Sequence, residues 1–151
     1  MTHIHEKIDW TVDVFIVHEG RVLLRMHEKY YTLLAVGGHV ELDEDPATAA
    51  KRECMEEVGL PIHIMGEEKL ESIPEERFRY LPIPAGQNIH YVNDIHQHIS
   101  TVYFATCEHT NIVPERPEDT WEWLTREEVL ARTDLLQNIK KYALEALDAL
   151  G

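Results

Sequence analysis

Three glutamates, Glu53, Glu56 and Glu57, are spaced so that a helix would gather them on one side. At about 100° per residue they fall within an arc of roughly 100°. Ala47, Ala50, Cys54 and Val58 occupy a neighbouring arc of roughly 80°, the stripe such a helix would bury. Like charges at i,i+3 and i,i+4 cost a helix a few tenths of a kcal/mol per pair. These acids also lie toward the C-terminal end, where the helix dipole disfavours anions. A purely structural helix gains nothing from this pattern. A hard divalent cation reverses the sign, because carboxylate oxygens are the ligands that Mg²⁺ and Mn²⁺ prefer. Arg52, four residues before Glu56, can pair with it. Spacing alone also allows a solvated acidic helix with no ligand.

The elements that must position these residues can be read from pattern. Asp45 suits the N-cap of the helix, Pro46 its first position and Gly59 its stop. Thr11 to Val17 is rich in β-branched residues; His18-Glu19-Gly20 reads as a turn and Arg21 to Leu24 as the returning strand. Tyr31 to Val36 reads as a strand stopped by Gly37-Gly38. Pro61 to Ile64 and Lys69 to Ile73 are weaker strand candidates. Residues 74–96 contain Pro74, Pro82, Pro84 and Gly86 and read mainly as a long loop with room for one short strand. His98 to Ala105 is a strong strand and Trp121 to Leu124 a short one. Thr125 and Glu128 form a capping-box pattern. A final helix shows apolar residues at Leu136, Ile139, Ala143, Leu147 and Leu150.

Residues 38–60 resemble the signature of the Nudix family: Gly, five residues, Glu, seven residues, Arg-Glu, an apolar residue, any residue, Glu-Glu, any residue, Gly, apolar. Gly38, Glu44, Arg52, Glu53, Glu56, Glu57 and Gly59 fill every fixed position, and Leu60 the last apolar slot. Cys54 takes the other apolar slot, where the family usually has an aliphatic; a buried Cys behaves as a small hydrophobe, so the departure is mild. The resemblance implies one Nudix hydrolase domain over residues 1–151, an α/β fold in which an α/β/α sandwich encloses a mixed β-sheet. It implies hydrolysis of a diphosphate linkage in a nucleoside diphosphate derivative, a nucleoside triphosphate or a nucleotide-sugar type such as ADP-ribose, with Mg²⁺ or Mn²⁺ as cofactor. It makes Glu53, Glu56 and Glu57 metal ligands or groups acting on the attacking water, Arg52 the residue that orients them, and the Gly38 carbonyl a further ligand. Glu44 would help structurally or reach a metal through water. Family members differ in the general base, and in some it comes from a later loop; Glu115, Glu118 and Asp119 are the acids placed for that here. A non-catalytic nucleotide-binding or regulatory domain, and an enzyme like isopentenyl diphosphate isomerase, are the competing functions on the same fold. The intact glutamate set argues against both.

Other residues have two readings each. Arg25 and Lys29 are cations that could meet substrate phosphate, or ordinary surface charges. His39 could contact substrate or fit against the box loop. His90, His96 and His98 raise the question of a transition metal, but no Cys lies close in sequence and no tight ligand motif appears, so they read as cleft or surface residues. Trp121 and Trp123 share one strand face and could stack on a base or fill the core. Pro74, fifteen residues after Gly59, is a position loosely associated in the family with ADP-ribose hydrolysis.

The 151 residues suffice for a domain with a real core, and 44% hydrophobic with 28% charged residues is an ordinary globular balance. No apolar run approaches the ~20 residues of a membrane span, and the first residues lack a signal-peptide layout. Two scattered cysteines, Cys54 and Cys107, make no disulfide framework, so a cytoplasmic setting is expected. A net charge of −14, from 28 acidic and 14 basic residues, repels nucleic acid polymers and anionic membranes. A small nucleotide-like substrate remains compatible provided cations offset that charge. A homodimer is allowed.

Overall fold

A computed structural model of the protein describes residues 6–75 and 77–151. Its centre is β1 (Ile8–His18), which runs parallel to β7 (Gln97–Cys107) from Ile8↔Gln97 to Val17↔Thr106. β2 (Arg21–Met26) folds back on β1 through a two-residue turn at Glu19 and Gly20, both with positive φ (48° and 75°), as a hairpin of this hand requires. β3 (Leu33–Leu34) and β8 (Trp121–Thr125) pair with β2, β4 (Val36–His39) with β1, and β5 (Ile62–Ile64) and β6 (Gly86–Tyr91) with β7, all antiparallel. The result is one mixed eight-stranded sheet.

Alternation along β1 sorts the sheet into two faces. Val12, Val14 and Ile16 join a buried cluster with Ala47, Ala50, Cys54 and Val58 of α1 (Pro46–Val58). Phe15 and Val17 join the opposite cluster with Ile139, Ala143 and Leu147 of α3 (Gln137–Leu150). The stripe read from the sequence of α1 is therefore the one that is buried, and the helices flank the mixed sheet on both sides. α2 (Arg126–Ala131) is a separate helix, started by the Thr125 hydroxyl accepting from Glu128 N at 3.2 Å. Leu136, expected on the apolar stripe of the last helix, instead precedes α3 and is half-exposed, because the capping box starts α2 and the chain breaks before α3.

Other expectations are corrected. Gly37 and Gly38 do not stop a strand; they lie inside β4, paired with Asp13 and Val12. Glycine is found there because something approaches closely: a Cβ on Gly37 would strike the Val12 carbonyl, and one on Gly38 the Glu53 carboxylate. Tyr31 is a turn residue with φ 52°, so the strand before the box shrinks to Leu33–Leu34 and Val36–His39. Lys69 to Ile73 is no strand: Glu67–Lys69 forms a 3₁₀ turn and irregular chain follows. The one short strand for which residues 74–96 left room is β6, six residues paired with β7.

The start of α1 matches its sequence signals. Asp45 accepts from Thr48 N at 2.9 Å and pairs with Arg79 at 2.6 Å. Gly59 closes the helix in the left-handed conformation, φ 67°. Burial by itself would raise the Asp45 carboxyl; the Thr48 N–H and the Arg79 guanidinium outweigh it and hold the group down to about 2. A depressed carboxyl contributes stability above its unfolded value and loses it as pH falls through the folded one. Asp45→Ala is therefore expected to cost about 1 kcal/mol at pH 7, the scale of a lost N-cap, and the gap to wild type should close as pH falls from 4 toward about 2. Urea titrations at several pH values measure this, and equal stability of both proteins at pH 7 would refute it.

Candidate active site

The charged centre forms where the C-terminal half of α1 crosses β4. Arg52 reaches four places at once. Its Nη2 donates to Glu44 Oε1 at 2.6 Å and to the His39 carbonyl at 2.9 Å; its Nη1 donates to Glu53 Oε1 at 3.0 Å and Glu56 Oε2 at 3.1 Å. Nε adds a contact to Glu44 Oε2 at 3.1 Å. Glu44 in turn accepts from Glu41 N at 3.0 Å, which fixes the loop entering the helix. The guanidinium hydrogen bonds raise the Arg52 pKa still further, so this cation is permanent.

Glu57 lies deeper, 7% exposed. Its Oε1 accepts from Gly37 N at 2.8 Å, and its Oε2 meets Arg25 Nη1 at 2.8 Å. Arg25 also reaches Asp119 Oδ2 at 3.3 Å. The structure thus turns Arg25 inward between two carboxylates, its side chain 12% exposed, rather than outward as a surface cation. Its Nε is buried and finds no acceptor among the described residues. Lys29 is exposed and sits over the Tyr30 ring.

The loop before β8 is tied to this centre through its backbone. Val113 N donates to Val58 O at 2.8 Å and Glu115 N to Glu57 O at 3.2 Å. Of the three later acids, Glu115 is exposed yet close enough for its charge to raise both Glu53 and Glu57. Asp119 is engaged with Arg25 and Arg116, and Glu118 is exposed. Trp121 and Trp123 are half-buried against the α1-side core.

Removal from water is the largest influence on Glu53 and Glu57, and it raises both. For Glu57 it outweighs the pull of Arg25 and of the Gly37 N–H, and the carboxyl is pushed up to about 8. Buried Glu57 and half-buried Glu53, both raised in this way, with Glu53 filling the space a Gly38 side chain would take, form an all-oxygen donor set that suits Mg²⁺ or Mn²⁺. Glu53, Glu56, Glu57 and the Gly38 carbonyl are the groups that could hold such an ion.

His39 is divided between the two faces of the sheet. Its carbonyl serves Arg52, while its ring is 6% exposed with Nε2 3.2 Å from Asp9 Oδ2. His96 and His98 come to the same place, and the expectation of cleft or surface histidines fails for His96, which is 3% exposed. Asp9 was missed in the sequence. The signal was the alternation Asp9, Thr11, Asp13 in a strand whose other residues are mostly apolar, which puts three polar side chains on one sheet face.

Mixed sheet, flanking helices and a glutamate-bearing helix seated on a Gly-Gly strand make up a Nudix type of scaffold. The sequence matches the NUDIX domain family model over residues 7–147, and the chain belongs to that family. Among solved structures it is similar to a NUDIX family hydrolase from Clostridium perfringens, 33% identical with a TM-score of 0.83, covering 95% of this chain and 98% of that one. It shares the fold of the MutT protein from Methanosarcina mazei Go1 at 20% identity and TM-score 0.67, covering 97% and 96%. It likewise shares the fold of a MutT NUDIX hydrolase from Burkholderia pseudomallei at 20% identity and TM-score 0.64, covering 97% and 100%. No curated protein matches. Among the described residues no helix is long and apolar enough to cross a membrane.

The raised Glu57 carboxyl carries a sign that can be measured. A group whose folded pKa lies above its unfolded value stabilises the fold fully below the unfolded value, and that contribution is lost as pH rises through the folded one. In metal-free buffer the melting temperature of the wild type is expected to fall between pH 5 and about 8 more steeply than that of Glu57→Gln, which cannot ionise. Parallel pH profiles for the two proteins would rule this out.

Proposed function

We propose that this chain is an active pyrophosphohydrolase, cleaving a diphosphate linkage in a nucleoside diphosphate derivative of nucleoside triphosphate or nucleotide-sugar type, such as ADP-ribose. We take residues 1–151 as one hydrolase domain and its Mg²⁺ or Mn²⁺ ligands as Glu53, Glu56, Glu57 and the Gly38 carbonyl. The observation that carries the reading is the convergence of Glu53 and Glu56 on Arg52, with Glu57 held by Gly37 N beside them. Divalent ions bound there would neutralise phosphate charge and acidify a bound water.

The protein's own groups have separable tasks. Arg52 holds Glu53 and Glu56 together against their repulsion and, through Glu44 and the His39 carbonyl, keeps α1 in register with β4. Arg25 orients Glu57 through its 2.8 Å contact. Glu56, with its side chain 53% exposed, is the carboxylate most open to a bound molecule. A carboxylate of this group takes the proton of the attacking water at Oε, a step worth roughly 10²–10⁴-fold; Glu115 is the later acid whose charge reaches the group. The acidity of the chain, −14 overall, fits a small anionic substrate carried in with cations and disfavours a nucleic acid polymer.

A panel of nucleoside triphosphates and nucleotide sugars, incubated with Mg²⁺ or Mn²⁺ and read by product mass, tests this. Release of a nucleoside monophosphate that requires the ion is expected. Glu56→Gln should lower kcat by ~10²-fold or more, the scale of losing a metal ligand or base, while its metal-free melting temperature stays within a few degrees because the side chain is half-exposed. Absence of turnover on every substrate with both ions, or full activity of Glu56→Gln, would defeat the reading.

A further inference from the structure

On the sheet face turned away from α1, three strands bring together side chains that the hydrolase reading does not use. Asp9 of β1 and His98 of β7 are register partners, and Thr11, two residues on from Asp9, is the partner of His39 at the end of β4. Register partners share a face, so Asp9, His39 and His98 project the same way. One ligand atom from each lies within 4.8 Å of the others. His39 Nε2 is 3.2 Å from Asp9 Oδ2, and His96 Nε2 is 3.1 Å from that same oxygen. Bonds of about 2.0–2.2 Å in a tetrahedral site place donors about 3.4 Å apart, so the ligand atoms of Asp9, His39 and His98 lie near the spacing that one ion needs.

His96 backs the carboxylate of this group: its Nδ1 lies 3.0 Å from the Glu6 carbonyl and its Nε2 3.1 Å from Asp9 Oδ2, the kind of supporting contact that orients a metal-binding carboxylate. Asp9 on β1 and His39 on β4 are 0% and 6% exposed, so these donors stand on paired strands out of bulk water. His98 of β7 is half-buried, with the exposed His90 next to its ring at 5.9 Å.

We propose that Asp9, His39 and His98 bind one transition-metal ion of the Zn²⁺ class, separate from the all-oxygen site on α1. Two imidazoles and one carboxylate favour Zn²⁺, Co²⁺ or Ni²⁺ over Mg²⁺, which takes oxygen ligands. The ion would clamp β1, β4 and β7 together directly beneath the strand that carries Gly37 and Gly38. The proposal does not depend on the hydrolase reading.

The test uses untagged, chelator-treated full-length protein titrated with Zn²⁺ by calorimetry and with Co²⁺ by visible absorption, in millimolar Mg²⁺. One Zn²⁺ per chain and the bands of tetrahedral Co²⁺ are expected, with both retained in Glu56→Gln. His98→Gln should weaken binding by more than the ~10–100-fold that a lost supporting hydrogen bond costs, and it is chosen because His98 is half-buried and its replacement keeps the fold. Asp9→Asn should do the same where it folds. No Zn²⁺ uptake by the wild type overturns the proposal. Uptake that persists in His98→Gln, or that Glu56→Gln or Mg²⁺ abolishes, overturns it as well.

Discussion

One guanidinium holds the chemistry of this protein in place. Glu53 and Glu56 lie one turn apart on α1 and would repel each other; Arg52 Nη1 sits between them, at 3.0 and 3.1 Å. The same group fixes Glu44 at the start of the helix and the His39 carbonyl on β4. An arginine can do this because its fork of donors is planar and always charged; a lysine at this position would offer a point charge to partners lying in several directions. The docking angle of the helix, the loop that precedes it and the crowding of its carboxylates all follow from that contact.

That arrangement demands a close seat. α1 buries Ala47, Ala49, Ala50 and Cys54 rather than long aliphatics, so the helix lies near the sheet. β4 answers with two glycines, and the Glu53 carboxylate occupies the volume a side chain at Gly38 would fill. Small residues on both partners are the condition for the carboxylates to reach the strand at all. Burial that follows from this closeness is also what raises Glu53 and Glu57, and it makes ionisation of these two carboxyls costly to the fold.

Local signals were legible in the sequence and tertiary ones were not. Asp45, Pro46 and Gly59 bounded α1 because caps act within a turn of the helix they close. The buried stripe of α1 and the glutamate face beside it followed from helical period alone. Gly37-Gly38 was misread as a stop because glycine in a strand is legible only when the atoms that approach it are known. β6 was not placed because its residues are mostly exposed and lack an alternating apolar pattern; its partner β7 defines it. The carboxylate partners of Arg25, Glu57 and Asp119, were not legible because they lie far away along the chain. The histidines at 96 and 98 carried no ligand spacing of their own, since Asp9 and His39 come from other strands.

β4 is the shortest route between the two charged centres. Its four residues give Glu57 a backbone N–H from Gly37, give Arg52 a carbonyl from His39, and give the opposite face the His39 ring. A backbone that bonds on one side through its peptide groups and on the other through a side chain cannot shift toward either without straining the other. The position of the Gly38 carbonyl is therefore set from both faces of the sheet: by Arg52 and the box glutamates from the α1 side, and by Asp9 and its histidines from the α3 side. For a carbonyl that would have to meet a metal ion at a bond length fixed to about 0.2 Å, that double restraint is worth more than the few contacts it contains, because precision at the site comes from how rigidly the supporting shell is held.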